Sequence, residues 1–257
     1  WNKFVPRETV PPAVAFGSFG VDMASLPGGL SQHPQMQMPG PTAFTVPAML
    51  DLFDRGSLFI QAGRDGGPAA AQLLSDVMLR LLTTFPPSKV RFTIIDPVGL
   101  GQNFAAFMHL ADHDEQLVGG KIWTDPKHIE QRLTDLTEHM ETVIQKYLRN
   151  EFQSIQEYNR QAGEVAEPYR FLVIADFPAN LTEAAAKRLA SIAGSGAKCG
   201  LYTLIASSLT VDGKTRPPAW LPLPALEQSS AVLTRREGRF SWVNDEFANW
   251  PLSIEHP

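Results

Sequence analysis

Residues 57–85 place a strand, a glycine-containing turn and a helix in direct succession. The short apolar run at 57–62 is typical of a buried strand, and the glycines that follow it permit a tight turn. Pro68 suits the first position of a helix, and the apolar residues after it recur at helical spacing. This order favours a phosphate-binding loop, because backbone N–H groups and a helix amino terminus point at one spot.

The loop departs from the phosphate-binding pattern G-x-x-x-x-G-K-[ST] at the positions that carry chemistry. When the first glycine of the pattern is aligned with Gly63, the lysine position holds Ala69 and the hydroxyl position holds Ala70. Pro68 also removes one backbone N–H donor. The candidate nucleotide-binding residues of this degenerate loop are Gly63, Arg64, Asp65, Gly66, Gly67, Ala69 and Ala70.

Two interpretations of this loop stay open from the sequence. Arg64 carries a positive charge that can face a phosphate, whereas the neighbouring Asp65 opposes an anion. The alternative is that Gly63, Gly66 and Gly67 only connect the strand to the helix. We therefore expect no cofactor, with bound ATP and magnesium as the alternative.

The composition indicates a globular protein. The chain has 257 residues, 44% of them hydrophobic, and a formal net charge of -5, which gives no support for a whole-surface grip on nucleic acid. The densest basic cluster is Arg235, Arg236 and Arg239, which we interpret as a solvated hairpin rim.

No apolar run approaches the ~20 residues of a membrane span, so we expect no membrane contact within this segment. Cys199 is the one cysteine, which excludes an internal disulfide and predicts a reducing, cytoplasmic location.

Apolar runs predict three further strands of the same sheet. They lie at residues 89–96, 170–176 and 200–206, and the first two end in Asp96 and Asp176. Strands that alternate with helices predict right-handed parallel crossovers and a sheet covered on both faces. Because the carboxyl ends of parallel strands form the edge at which open α/β folds bind ligands, we expect both acids near one another there.

Capping residues and apolar periodicity predict the helices between these strands. Asp125 before Pro126 begins a long helix. Its apolar stripe consists of Ile129, Leu133, Leu136, Met140, Val143 and Tyr147. Ser154 and Glu157 form a capping box for a short helix, and Thr182 begins another.

Composition divides the chain into three segments. Residues 1–56 are rich in proline and glycine, hold one or two short strands at 13–22, and are expected to pack on the core. Residues 57–216 form the core itself. Residues 217–257 carry a small β-hairpin turning at Gly238, which a run of prolines separates from the main sheet.

Several stretches together resemble the motor domain of the FtsK/SpoIIIE family of DNA translocases. In order, they are the glycine loop, Ile94-Ile95-Asp96-Pro97, the long helix ending in Tyr147, Ile155-Gln156-Glu157-Tyr158-Asn159, Pro168-Tyr169, Asp176-Phe177 and Leu204-Ile205-Ala206-Ser207. The match covers roughly residues 57–210 and is closest to degenerate modules of large bacterial members with several motor domains in tandem. Because the chain begins at Trp1 rather than Met, we expect a segment of such a longer protein.

The resemblance implies a fold and a set of partners. The expected fold is α/β and RecA-like, a P-loop NTPase fold with a mostly parallel sheet covered by helices on both faces and a small C-terminal β-hairpin. The implied partners are neighbouring motor domains of the same polypeptide or ring. DNA is implied only as an indirect partner, since the parent motor moves DNA or serves secretion.

The departures from the family pattern fall on its catalytic positions. The family's Asp-Glu pair after the third strand corresponds to Ala175 and Asp176, so the metal-orienting acid is missing. An offset alignment makes Asp176 that acid but places Phe177 at the water-activating base. The sensor-like stretch becomes 206–210, where Ser208 and Leu209 replace a glutamine and an arginine.

These losses leave three functions open. They are a non-hydrolysing pseudo-ATPase that packs against neighbouring motor domains, an ATP-driven DNA translocase module completed by a neighbour, and a nucleotide sensor. Because losing one transition-state donor can cost ~10²-fold in rate, the missing groups favour the first function. No catalytic residue is assigned. Asp96 and Asp176 are vestigial candidates that serve either magnesium and water or the capping of loops.

A metal site is not expected either. His109 and His113 lie four residues apart with acids nearby, a spacing that can hold a metal on a helix. No further pair of ligands is evident elsewhere in the sequence, so we interpret both histidines as surface residues.

Overall fold

A computed structural model describes residue 5 and residues 7–37, 39–53, 56–149, 151–209, 216–247 and 250–256. Within them lie the strands β1 (Ala13–Asp22), β2 (Ala43–Asp51), β3 (Ser57–Gln61), β4 (Val90–Ile95), β5 (Tyr169–Phe177), β6 (Leu201–Ser207), β7 (Ser230–Arg236), β8 (Arg239–Trp242) and β9 (Leu252–Ile254). The α-helices are α1 (Gly67–Thr84), α2 (Pro126–Thr142), α3 (Ile155–Ala162), α4 (Glu183–Ser195) and α5 (Leu223–Ser229). Thr210, at the end of the sensor-like stretch, lies outside the described residues.

The main sheet has six strands in the order β4-β5-β6-β3-β7-β8. Its first five strands are parallel, and β8 pairs antiparallel with β7. Every residue of β6 is buried, as expected for a central strand whose two faces are both covered. The predicted α/β fold with a mostly parallel sheet flanked by helices is therefore confirmed.

The C-terminal hairpin is part of the main sheet. β7 lies parallel beside β3, with Ser230 opposite Ser57 and Thr234 opposite Gln61. The prediction that prolines separate the hairpin from this sheet is therefore wrong. The proline-rich stretch leads instead into α5, which precedes β7 directly, and a crossover of this kind returns the chain to the sheet in parallel. The hairpin is thereby placed next to the strand that carries the glycine loop.

A second sheet, antiparallel and ordered β2-β1-β9, packs on the hairpin through aromatic side chains. Phe19 of β1 is buried, and its ring centroid lies 5.9 Å from that of Trp242 and 4.9 Å from that of Phe247. The sequence predicted β1 but missed β2, because Pro47 lies within it. An edge strand tolerates that proline, since only one side of it must join a hydrogen-bond ladder.

The predicted helix caps are present. Asp125 Oδ1 accepts from the N–H of Lys127 at 3.0 Å, and the hydroxyls of Ser154 and Thr182 accept from the first turns of α3 and α4. The long helix, however, is not α-helical throughout, since the chain continues after α2 as a π-helical turn at Val143–Leu148. Among the described residues, no helix is both long and apolar enough to cross a bilayer.

A polar cluster joins α2 to the start of β5. Arg170 Nε donates to His139 Nε2 at 2.9 Å, and Arg170 Nη2 donates to Glu167 Oε1 at 3.4 Å. Burial, and secondarily the charge of Arg170, lowers the pKa of His139 from 6.5 to about 4. His139 is therefore neutral at pH 7, as the hydrogen bond from the arginine requires.

This cluster predicts an acid-sensitive stability. Between pH 6.5 and about 4 the unfolded chain protonates His139 and the folded chain does not, so the free energy of unfolding falls as the pH falls through this window. We expect His139 to contribute about 2 kcal/mol of that loss, after allowing for solvent screening. Urea unfolding at pH 7 and pH 4.5 should show a smaller loss in His139→Gln than in the parent protein. His109→Gln, at a side chain 86% exposed, should behave like the parent, and equal losses in all three proteins would contradict the prediction.

Candidate functional site

The glycine loop joins β3 to α1 at the carboxyl edge of the main sheet. Gly63 has φ 66° and ψ 178°, a conformation that glycine tolerates and side-chain-bearing residues avoid. The next three residues, Arg64–Gly66, form one 3₁₀ turn, and α1 then begins at Gly67 with no side-chain hydrogen bond at its amino terminus. The N–H of Gly67 donates to the carbonyl oxygen of Arg64 and Pro68 has no N–H, so the start of α1 offers an anion fewer backbone donors than the family pattern does.

The two alanines of the degenerate loop lie on α1 beyond this turn. Ala70 is completely buried in the core, and Ala69 is partly buried. The position at which the family pattern has a magnesium-binding hydroxyl thus has neither an oxygen nor an exposed surface.

A cleft of about 400 Å³ opens between the loop and the hairpin. It is lined by Gln61, Ala62, Gly63, Arg64, Asp65, Gly66, Thr234, Arg235, Arg236 and Glu237. The structure thus brings the first half of the predicted loop into the cleft together with two arginines that the sequence assigned to a solvated rim. The cluster of arginines in the sequence could have indicated this cleft. It did not, because the hairpin was predicted to lie outside the sheet and therefore away from the loop.

Arg235 lies directly against the loop. A Cβ atom at Gly66 would lie 3.2 Å from Arg235 Cδ and 3.4 Å from its Nη1, so only glycine leaves the arginine undisturbed. The guanidinium carbon lies 5.9 Å from the ring centroid of Phe240. Arg235 Nε is buried and has no hydrogen-bond partner among the described residues. A cationic side chain with an unused donor therefore rests on the turn.

The charges of the cleft are not neutralised by one another. Arg64, Arg236, Asp65 and Glu237 are exposed, and neither they nor Arg235 form an ion pair within the part of the chain that the structure describes. Three arginines face two acidic residues, which leaves one net positive charge beside the amino terminus of α1.

Asp96 holds a neighbouring loop rather than facing the cleft. Its side chain is fully buried, and Oδ1 accepts from the N–H of Gly99 at 3.1 Å and from Asn103 Nδ2 at 3.0 Å. Oδ2 accepts from the N–H of Asn103 at 3.2 Å. Both carboxylate oxygens are therefore used to fix the turn that follows β4.

Asp176 is the more open of the two vestigial acids. It is half-buried with φ 54°, and Oδ1 lies 3.5 Å from where a Cβ atom at Gly67 would be, so it faces the start of α1. Burial, and secondarily the charge of Asp96, raises the pKa of Asp176. Asp96 is thus close enough to act on Asp176, as their positions at the ends of neighbouring strands predict. Ala175 beside it is buried in the core and offers no ligand.

These residues do not fit a magnesium ion held by the protein. Magnesium requires oxygen ligands, but Ala70 and Ala175 supply none and Asp96 already accepts three hydrogen bonds. Among the positions that correspond to the magnesium-binding residues of the family, Asp176 alone keeps a free carboxylate. The described residues contain no group of three or more His, Cys, Asp or Glu that could hold a metal, and His109 Nδ1 lies 3.7 Å from Asp112 Oδ2. The loop and its arginines, by contrast, fit a phosphate group.

Residues 71–193 match the FtsK/SpoIIIE family. The resemblance that the ordered landmarks indicated is therefore confirmed over these residues, and no curated protein matches the chain.

Solved structures of a conjugation coupling protein and of secretion ATPases share the fold. The structure of the pCW3 conjugation coupling protein TcpA, a monomer form with ATPγS, aligns with TM-score 0.63 and 14% identity over 100% of this chain and 69% of that one. EssC (ATPases 2 and 3) from Geobacillus thermodenitrificans aligns with TM-score 0.61 and 17% identity over 98% of this chain and 46% of that one. The cytoplasmic domain of the type VII secretion ATPase EccC of Thermomonospora curvata aligns with TM-score 0.56 and 18% identity over 91% and 25%. The FtsK/SpoIIIE-like domain thus spans less than half of the EssC and EccC chains.

Proposed function

We propose that this FtsK/SpoIIIE-like domain is a non-hydrolysing pseudo-ATPase that packs against neighbouring motor domains of the same polypeptide or ring. The proposal rests on the positions at which the family pattern binds magnesium. Ala70 is fully buried there, and both carboxylate oxygens of Asp96 already accept hydrogen bonds from its own loop. Phosphoryl transfer depends on positioned charges that meet the transition state, and the residues that would position magnesium are absent.

A rigid apolar loop beside the site supports the packing role. Val98 and Leu100 are 64% and 73% exposed, and the hydrogen bonds of Asp96 hold the turn that carries them. Exposed aliphatic side chains on a fixed turn suit contact with another protein. The structural relatives support a motor domain as that partner, since EssC carries several ATPase domains in one chain. DNA would then be reached only indirectly, through the parent motor.

An ATPase assay tests the proposal. With ATP and magnesium, the purified domain should release phosphate at the background rate of buffer, and Asp176→Asn should not change that rate. The matched control is Asp112→Asn, because Asp112 is an exposed acid away from the cleft. Release above background that is abolished by Asp176→Asn and kept by Asp112→Asn would contradict the pseudo-ATPase and support the alternative, an ATP-binding translocase module with residual or neighbour-assisted turnover.

A further inference from the structure

We propose that Arg235, reaching the loop from β7, supplies the positive charge that the missing loop lysine would have supplied, so that the cleft binds a diphosphate or triphosphate without magnesium. This inference deepens the proposed function, because it names the class of ligand that the inactive site takes.

The position of Arg235 is set by the sheet. Gln61, at the end of β3, is paired with Thr234 of β7, and Arg235 is in turn paired with Phe240 of β8. Its backbone is therefore held by strand pairing next to the strand that leads into the loop. A group on paired strands is positioned more accurately than one on a loop, which favours binding of a defined ligand.

The guanidinium has capacity to donate. Its Nε is buried without a partner among the described residues, and no ion pair neutralises it. The rest of Arg235 is only partly buried, so its terminal nitrogens can reach the cleft, and a planar guanidinium matches phosphate oxygens in a bidentate arrangement. A phosphate beside Gly66 would accept from the Arg235 guanidinium.

Magnesium is not needed for this arrangement. Its role of offsetting phosphate charge can be taken by Arg235 together with Arg64 and Arg236, which line the same cleft. A cleft of about 400 Å³ lies within the usual range for small-ligand sites. The acids Asp65 and Glu237 at the rim reduce the net charge without closing the cleft.

Calorimetry with the whole chain tests the inference. Pyrophosphate and ADP are titrated separately, each in EDTA and in excess magnesium. Binding should be present in EDTA and change less than threefold with magnesium. The inference predicts that Arg235→Gln weakens both ligands about tenfold or more, since it removes one charge-assisted pair. Arg235→Lys should recover part of the affinity. Similar affinities for the two ligands would assign recognition to the phosphates, whereas a much tighter ADP complex would show that the nucleoside also contributes.

A second arginine of the same hairpin, Arg239, provides the control. Arg239 is exposed on β8, does not line the cleft, and carries the same charge, so Arg239→Gln should bind like the parent. Thermal unfolding without ligand verifies that each variant is folded. The inference is overturned by no binding, by a strict requirement for magnesium, by equal weakening in Arg239→Gln, or by tighter binding in Arg235→Gln, which would make the arginine a plug of the loop. Release of phosphate from ATP would contradict the proposed pseudo-ATPase function but not this inference. Absence of binding would contradict this inference but not the proposed pseudo-ATPase function.

Discussion

Replacing Asp96 with alanine is expected to lower the free energy of unfolding by about 3 kcal/mol. The substitution deletes three accepted hydrogen bonds at a fully buried site and leaves the N–H groups of Gly99 and Asn103 without their partner. The effect is large for one side chain because all three lost bonds go to a charged acceptor, although water can reach part of Gly99 and Asn103. Urea unfolding at pH 7 measures the change.

Two variants show whether the loss comes from loop capping. Asp96→Asn keeps one acceptor oxygen and should lose less stability than Asp96→Ala. Asp112→Asn, at an exposed acid, should change the unfolding free energy by less than about 0.5 kcal/mol. If Asp96→Ala were as stable as the parent, the carboxylate would not be needed to hold its loop, and its assignment as a capping residue would fail.

The second large effect is expected from Phe19→Ala, at about 4 kcal/mol. Phe19 is 2% exposed and contacts Trp242, Phe247 and Trp250, with centroid distances of 5.9, 4.9 and 6.0 Å. Truncation leaves a cavity where the second sheet meets the hairpin, and the aromatic contacts are lost with it. Thermal and urea unfolding, followed by tryptophan fluorescence and by circular dichroism, measure the loss.

The same experiment tests whether the N-terminal segment is a separate unit. If β1 and β2 form one cooperative body with the main sheet, both probes should shift together in Phe19→Ala. Phe44→Ala, at a β2 side chain 42% exposed, should cost less than about 1 kcal/mol. An early transition reported only by tryptophan, with the main transition unmoved, would instead favour the division into residues 1–56 and a separate core.

Local patterns were enough to predict most of the individual elements. β3, β5 and β6 are short apolar runs between turn residues, and α2 and α3 begin at the caps that Asp125 and Ser154 predicted. These features depend on neighbours in the sequence, so the sequence shows them. β2 was missed because it contains Pro47, whereas the π-helical turn and the place of the hairpin depend on what packs beside them.

The candidate site divides in the same way. The sequence by itself determined that the loop has alanine in place of its lysine and hydroxyl, that Ala175 replaces an acid, and that the chain resembles FtsK/SpoIIIE motors. Only the tertiary structure decided that the carboxylate of Asp96 accepts hydrogen bonds from the loop after β4 and that the Arg235 side chain packs against Gly66. The physical reason is that the order of parallel strands is set by crossover packing rather than by local composition, and here that order places β7 next to β3.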